Sequence, residues 1–152
     1  MRSFSRICLL FLFLLPVSFC LCACHKAEKV GQVVVSEVEY SVRNTHGSSG
    51  TGNSFVLDAR GKVKNIGDVD VKKVVVTGYC RSCTLAFTSQ KWFTSDCDKT
   101  PTQKDIISYL SVGAEEEFHF EEIAFYITHE TEPPEEFPND IEIVIESFDV
   151  IE

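Results

Sequence analysis

Beyond residue 24 the chain holds three cysteines, Cys80, Cys83 and Cys97, and the first two are spaced as Cys80-Arg81-Ser82-Cys83. Two thiolates separated by two residues can close on one metal ion or on each other, the chemistry of a zinc or redox pair. A tetrahedral zinc site built on all three needs a fourth ligand, for which His119 and Asp96 are the candidates. A thioredoxin-type pair needs a helix starting at its first cysteine, whereas Cys80 ends a β-branched run. An odd count in an oxidising compartment instead predicts one disulfide and one spare thiol. A bridge from Cys83 or Cys80 to Cys97 would enclose 13 or 16 residues and stabilise the fold by about 3 kcal/mol in the chain-entropy picture. That staple is the expectation, with no metal and no cofactor. A second cluster, Glu117, His119 and Glu121, alternates along one strand face with neighbours about 7 Å apart. Such a ladder can meet a divalent cation or simply face water, and the solvated face is the expectation. The chain has no G-x-S-x-G, no H-E-x-x-H, no phosphate-binding glycine loop and no Ser-His-Asp order, so no catalytic residue is assigned. Hydrolysis by paired carboxylates is a third reading that lacks a site.

The N-terminus carries a different chemistry. Arg2 and Arg6 precede an apolar run, Ile7 to Phe19, interrupted only by Pro16 and Ser18, which is the layout of an export signal over residues 1–23. The run falls short of the roughly 20 apolar residues that span a bilayer and is soon followed by His25, Lys26, Glu28 and Lys29. Leu21-Cys22-Ala23-Cys24 resembles the bacterial lipobox, with an aliphatic residue three before the cysteine and a small one just before it. The resemblance implies cleavage before Cys24 and a diacylglyceryl group on its thiol. Two or three palmitate-like chains, at about 0.8 kcal/mol per buried methylene, anchor a protein essentially permanently. Removing the signal takes two arginines and no acid from a chain already at −9. So acidic a surface repels nucleic acid and anionic headgroups and favours a basic partner or a cation.

These groups must be positioned by strands, because little in the chain keeps a helical period. Residues 24–32 read as a lipidated polar tether, and 33–152 as one domain. Val33 to Val42 is β-rich, with Val34, Ser36, Val38, Tyr40 and Val42 sharing a face. Arg43 to Asn53 is a Ser/Gly loop, and Phe55 to Lys64 alternates as a second strand. Asn65-Ile66-Gly67-Asp68 supplies a turn into Val69 to Tyr79, which predicts a hairpin between these two segments. Cys80 to Tyr109 is a long connection with one or two short strands, Asp105 to Leu110 rejoining the core. Glu115 to Ile127 has Phe118 and Phe120 opposite Glu117, His119 and Glu121. Glu130 to Pro138 is an acidic, proline-rich loop, and Ile141 opens the closing strand. Such a series of strands in one domain's length favours an all-β, two-sheet antiparallel sandwich over an open α+β fold.

Gly61-Lys62-Val63-Lys64-Asn65-Ile66-Gly67-Asp68, followed by Val71-Lys72-Lys73-Val74-Val75-Val76, resembles the FxLYD-type extracytoplasmic domains. Leu110-Ser111-Val112-Gly113-Ala114-Glu115 with Phe118 is similar to that family's later "L-x-P-G-E … F" element, with Val112 for the proline and Ala114 inserted. Where the family's signature is expected, this chain has Tyr79-Cys80-Arg81-Ser82-Cys83 and a longer insertion. The resemblance covers about Phe55 to Asp149 and implies an immunoglobulin-like sandwich on a bacterial envelope lipoprotein, with no activity attached. Together these observations predict an exported protein, lipid-anchored to a bacterial cell membrane and facing the periplasm or the cell surface. Its expected role is a non-catalytic interaction or structural module with an envelope protein partner. The contact surface is expected at a strand edge or around Trp92 and Phe93. The rival expectation is a thiol- or metal-handling lipoprotein using Cys80, Cys83 and Cys97.

Overall fold

A computed structural model describes residues 29–45, 52–94 and 98–151. The expected signal, Cys24, Asp96 and Cys97 lie outside the described residues. Six strands form in order: β1 (Val33–Asn44), β2 (Asn53–Asn65), β3 (Val71–Cys80), β4 (Lys104–Leu110), β5 (Glu115–Thr128) and β6 (Ile141–Val150), with a 3-10 turn at Pro101–Gln103. They make two antiparallel three-stranded sheets, β1-β2-β5 and β4-β3-β6. Among the described residues there is no α-helix and no helix long and apolar enough to cross a membrane.

The sheets share one core. Leu57, Ala59 and Val63 of β2 and Phe118, Phe120 and Ile123 of β5 meet Val71, Val74 and Val76 of β3 and Leu110 of β4. Close approach of the layers depends on Gly78, where a Cβ would stand 2.9 Å from the Phe120 ring and 3.1 Å from Ile123. The central strands β2 and β3 carry the longest buried runs, because each is covered on both edges by a neighbour.

Phe55 to Lys64 and Val69 to Tyr79 do not form the expected hairpin. β2 and β3 belong to different sheets, and Ile66–Asp70 carries the chain across the end of the sandwich. The turn's donors point to another partner: Ile66 N and Gly67 N donate to Gln32 O, at 2.8 and 3.1 Å, and Asp68 N donates to Val30 O at 3.1 Å. Asn65, fully buried, pins the crossing. Its Nδ2 donates to Val69 O at 2.8 Å and Leu110 O at 3.1 Å, and its Oδ1 accepts from Gly67 N at 3.0 Å. With those groups spent, β3 finds its ladders with β4 and β6 instead.

The alternation within strands is also interrupted. In β1 the side chains packed on the core are Val33 and Val35, then Val38 and Val42, so the inward set changes from odd to even at a bulge between Ser36 and Glu39. Val34 and Ser36 therefore leave the single face expected of them, while Tyr40 stays on the side of Val38 and Val42, opposite the buried Ala59, with part of its ring exposed. The same change separates Val71 from Val74 and Val76, and Phe120 from Ile123. Glu37, Lys73 and Glu122, one at each break, have φ of 51°, 51° and 63°. An extra residue in the left-handed region is a β-bulge device that rotates everything after it.

Candidate functional site

The sheet ends opposite residues 29–32 carry the insertion. Cys80, the last residue of β3, is disulfide-bonded to Cys83, with Cα atoms 5.4 Å apart. This corrects the expected staple to Cys97: the bridge closes the corner, not the long insertion. Two thiols two residues apart at a sharp turn are already within bonding distance, so little chain has to be ordered to join them. The corner is braced by Arg81. Its N donates to Asp140 O at 2.8 Å, and Nε and Nη2 reach Glu142 Oε2 at 2.9 and 2.7 Å. The same guanidinium lies 4.8 Å from the centre of the Tyr79 ring, and Lys99 Nζ lies 4.9 Å from it. Burial raises the Tyr79 phenol pKa and lowers that of the Lys99 ammonium, since each charged form would have to shed water.

From Cys83 the chain runs out and back along the free edge of β5. Thr84 N donates to Trp92 O at 3.1 Å, Thr94 N to Thr84 O at 2.9 Å, and Gln90 N to Ile127 O at 3.0 Å. Phe93 and Phe125 exchange both backbone bonds, at 2.9 and 2.8 Å, and their rings stack at 5.8 Å. An edge that would otherwise offer unpaired groups is thereby covered. Phe87 packs edge-on against Phe93 yet remains exposed, as does Leu85.

Trp92 leans the other way, toward the acidic loop. Its ring sits 5.3 Å from Tyr126, and its Nε1 donates to Glu136 O at 2.8 Å. Between the insertion and residues 130–139 lies an open groove of about 730 Å³. Its floor is Trp92 and Tyr126, its rim carries Glu130, Glu132, Glu135 and Glu136, and among the described residues Lys91 is the one basic side chain lining it. Pro133, Pro134 and Pro138 stiffen the acidic wall. An indole and a phenol ring beneath a carboxylate rim can hold a cationic group by ring contact and by charge together.

The other residues singled out from sequence do not converge here. Phe118 and Phe120 are buried, with rings stacked at 5.6 Å, while Glu117, His119 and Glu121 lie on the opposite face. Lys62 pairs in register with Glu117, and Arg60 with His119. Glu121 is bound by Arg43 at 2.8 Å, and Arg43 also holds the buried Asp58 at 2.9 Å. The ladder is thus interleaved with cations of β1 and β2. Among the described residues no three His, Cys, Asp or Glu side chains are grouped to hold a metal ion.

Trp92 and the acidic loop were both legible in the sequence as surfaces, but their juxtaposition was not. Tyr126 and Lys91 were missed altogether. Tyr126 carried only the faint signal of an aromatic near the end of a strand, because the bulge at Glu122 that sets its direction is not marked in the sequence. The chain matches no protein-family model, and no curated protein and no solved structure matches it.

Proposed function

We propose that this chain is a membrane-anchored, non-catalytic interaction module of the bacterial envelope, whose distal groove takes an extended basic segment of another envelope protein. The observation that carries the reading is the Trp92–Tyr126 floor beneath the carboxylates of the 130–139 loop. The anchor rests on the export signal and on the lipobox-like Leu21-Cys22-Ala23-Cys24. An immunoglobulin-like sandwich is supported by strand order: β1-β2-β5 and β4-β3-β6 follow the A-B-E and C′-C-F neighbours of that fold. In this reading the disulfide-tied insertion lies between C and C′.

The test has two arms. Intact mass of the membrane-extracted protein should show residues 24–152 carrying a diacylglyceryl group. Titration with an arginine-rich probe peptide containing one tyrosine should change Trp92 emission saturably. Binding should weaken with salt and collapse in Glu135→Lys/Glu136→Lys, because a rim of reversed charge repels the probe. A peptide response that the double reversal leaves intact would remove the groove from the proposal.

A further inference from the structure

We infer that the pole where the N-terminal tether joins the sandwich is a lipid-contacting face that rests on the bilayer interface. The inference depends on the acylated Cys24 of the proposed anchor. Val30, Ile66, Tyr109, Val112 and Val150 are between 42% (Val150) and 59% (Val30) exposed, and they belong to four segments tied together at this one pole. Val30 and Asp68 bond twice, through Val30 N to Asp68 Oδ1 and Asp68 N to Val30 O. Ile66 N donates to Gln32 O, and Gly113 N donates to Asn65 O. Asp70 gathers the rest: its carboxylate accepts from Tyr109 OH and from Val112 N, and its carbonyl from Ile151 N. Val71 pairs with both Leu110 and Val150.

Five apolar side chains on one end of a small domain are an unusual expenditure of exposed surface. The acids among them are partnered at the surface. Asp68 and Asp70 spend their carboxylates on Val30, Tyr109 and Val112, while Asp149 and Glu115 on the flanks pair with Lys73 and Lys62. What covers the face follows from the position of the proposed anchor. Six peptide steps separate Cys24 from Val30, and an extended chain advances at most about 3.6 Å per residue. The Cα of Cys24, where the acyl chains attach, therefore cannot lie more than about 22 Å from that of Val30. The groove is a strand's length away, about 30 Å for the ten residues of β3. A valine, isoleucine and tyrosine surface held that close to a bilayer meets the interfacial region, where aliphatic groups leave water and a phenol keeps its hydroxyl bonded.

The experiment uses the full chain, matured and purified from its host, in phosphatidylcholine vesicles with and without bromine near the headgroup end of the acyl chains. Trp92 is the sole native tryptophan and serves as the distal reference. Val112→Trp and Ile66→Trp place a second indole on the pole at exposed positions, and Leu85→Trp places one on the far insertion. Brominated lipid should quench the added emission of the two pole variants and leave wild type and Leu85→Trp unchanged. Lipidated Val112→Trp and Ile66→Trp that are not quenched would overturn the lipid-contacting pole and leave the anchor standing. Equal quenching of Leu85→Trp would overturn it as well, because the domain would then have no preferred pole. An intact mass lacking lipid would overturn anchor and pole together.

Discussion

Asn65 shows how much one side chain settles. Its carboxamide meets three backbone groups at the sheet crossing, two of them carbonyls in the buried ends of β4 and the turn. Replacing it by alanine leaves Val69 O and Leu110 O short of their side-chain donor in a place water does not reach. The expected loss is about 2–4 kcal/mol, read as a lower urea midpoint with an unchanged m-value. Gly67 has a related task. A Cβ there would collide with Val30 O and, at 2.5 Å, with Gln32 N, so Gly67→Ala should displace residues 30–32 and cost about 1–3 kcal/mol. The cysteines make a third prediction at this scale. Alkylation of the unreduced full-length protein followed by peptide mapping should label Cys97 and leave Cys80 and Cys83 unmodified. Label on Cys80 or Cys83 would restore the longer staple. The Cys80–Cys83 loop is so short that its chain-entropy contribution drops to about 1 kcal/mol.

At the scale of elements, the strands were legible and their partners were not. Alternation in Phe55 to Lys64 and in Glu115 to Ile127 announced β2 and β5, and Asn-Ile-Gly-Asp announced a reversal. A reversal read from residue types specifies that the chain bends, not which sheet it bends into. That choice went to the donors of the turn, which bond Gln32 and Val30 across the pole. The bulges at Glu37, Lys73 and Glu122 were invisible for a related reason. None is glycine, so nothing in the local sequence marks a left-handed φ, and tertiary packing imposes it at roughly 1–2 kcal/mol each. Lys73 offers the clean test, since its side chain is exposed and its ion pair with Asp149 is a surface one. Lys73→Val, β-branched and intolerant of positive φ, should cost about 1–2 kcal/mol beyond the loss of charge. Lys73→Asn should be close to neutral and Lys73→Gly within about 1 kcal/mol of wild type, all measured by chemical denaturation.

The whole molecule has two unlike ends joined by one core. Where residues 29–32 join the sheets, four segments are laced together and five apolar side chains face outward. At the far end a disulfide corner, an aromatic floor and a proline-stiffened acidic rim surround a groove. Ionisation links the sheets' outer surfaces to overall stability. Glu146 has its pKa lowered chiefly by the Lys104 Nζ bond at 2.8 Å, with Tyr79 OH adding to it. Asp70 has its pKa lowered by Tyr109 OH and then Val112 N. At pH below their ordinary values, 4.5 for Glu146 and 3.8 for Asp70, the unfolded chain binds protons that the folded chain still excludes. Stability is therefore fully present above those values and declines as pH falls through the depressed ones. Urea midpoints followed downward from neutral pH should fall below about pH 4.5, and the fall should be shallower in Glu146→Gln/Asp70→Asn.

The sequence by itself determined what depends on composition and short spacing. It specified strands in place of helices, the acidic surface, the alternation that buries Phe118 and Phe120, and a proline-rich loop barred from any sheet interior. Local chemistry suffices for these, because side-chain period and backbone freedom are properties of neighbouring residues. Only the tertiary structure decided which strands pair, where alternation breaks, which sulfurs meet, and that Trp92 and Tyr126 lie beneath the carboxylates of the 130–139 loop. Those outcomes rest on donors, acceptors and ring faces far apart along the chain, and nothing near them in sequence says which of several available partners will be closest once the core closes.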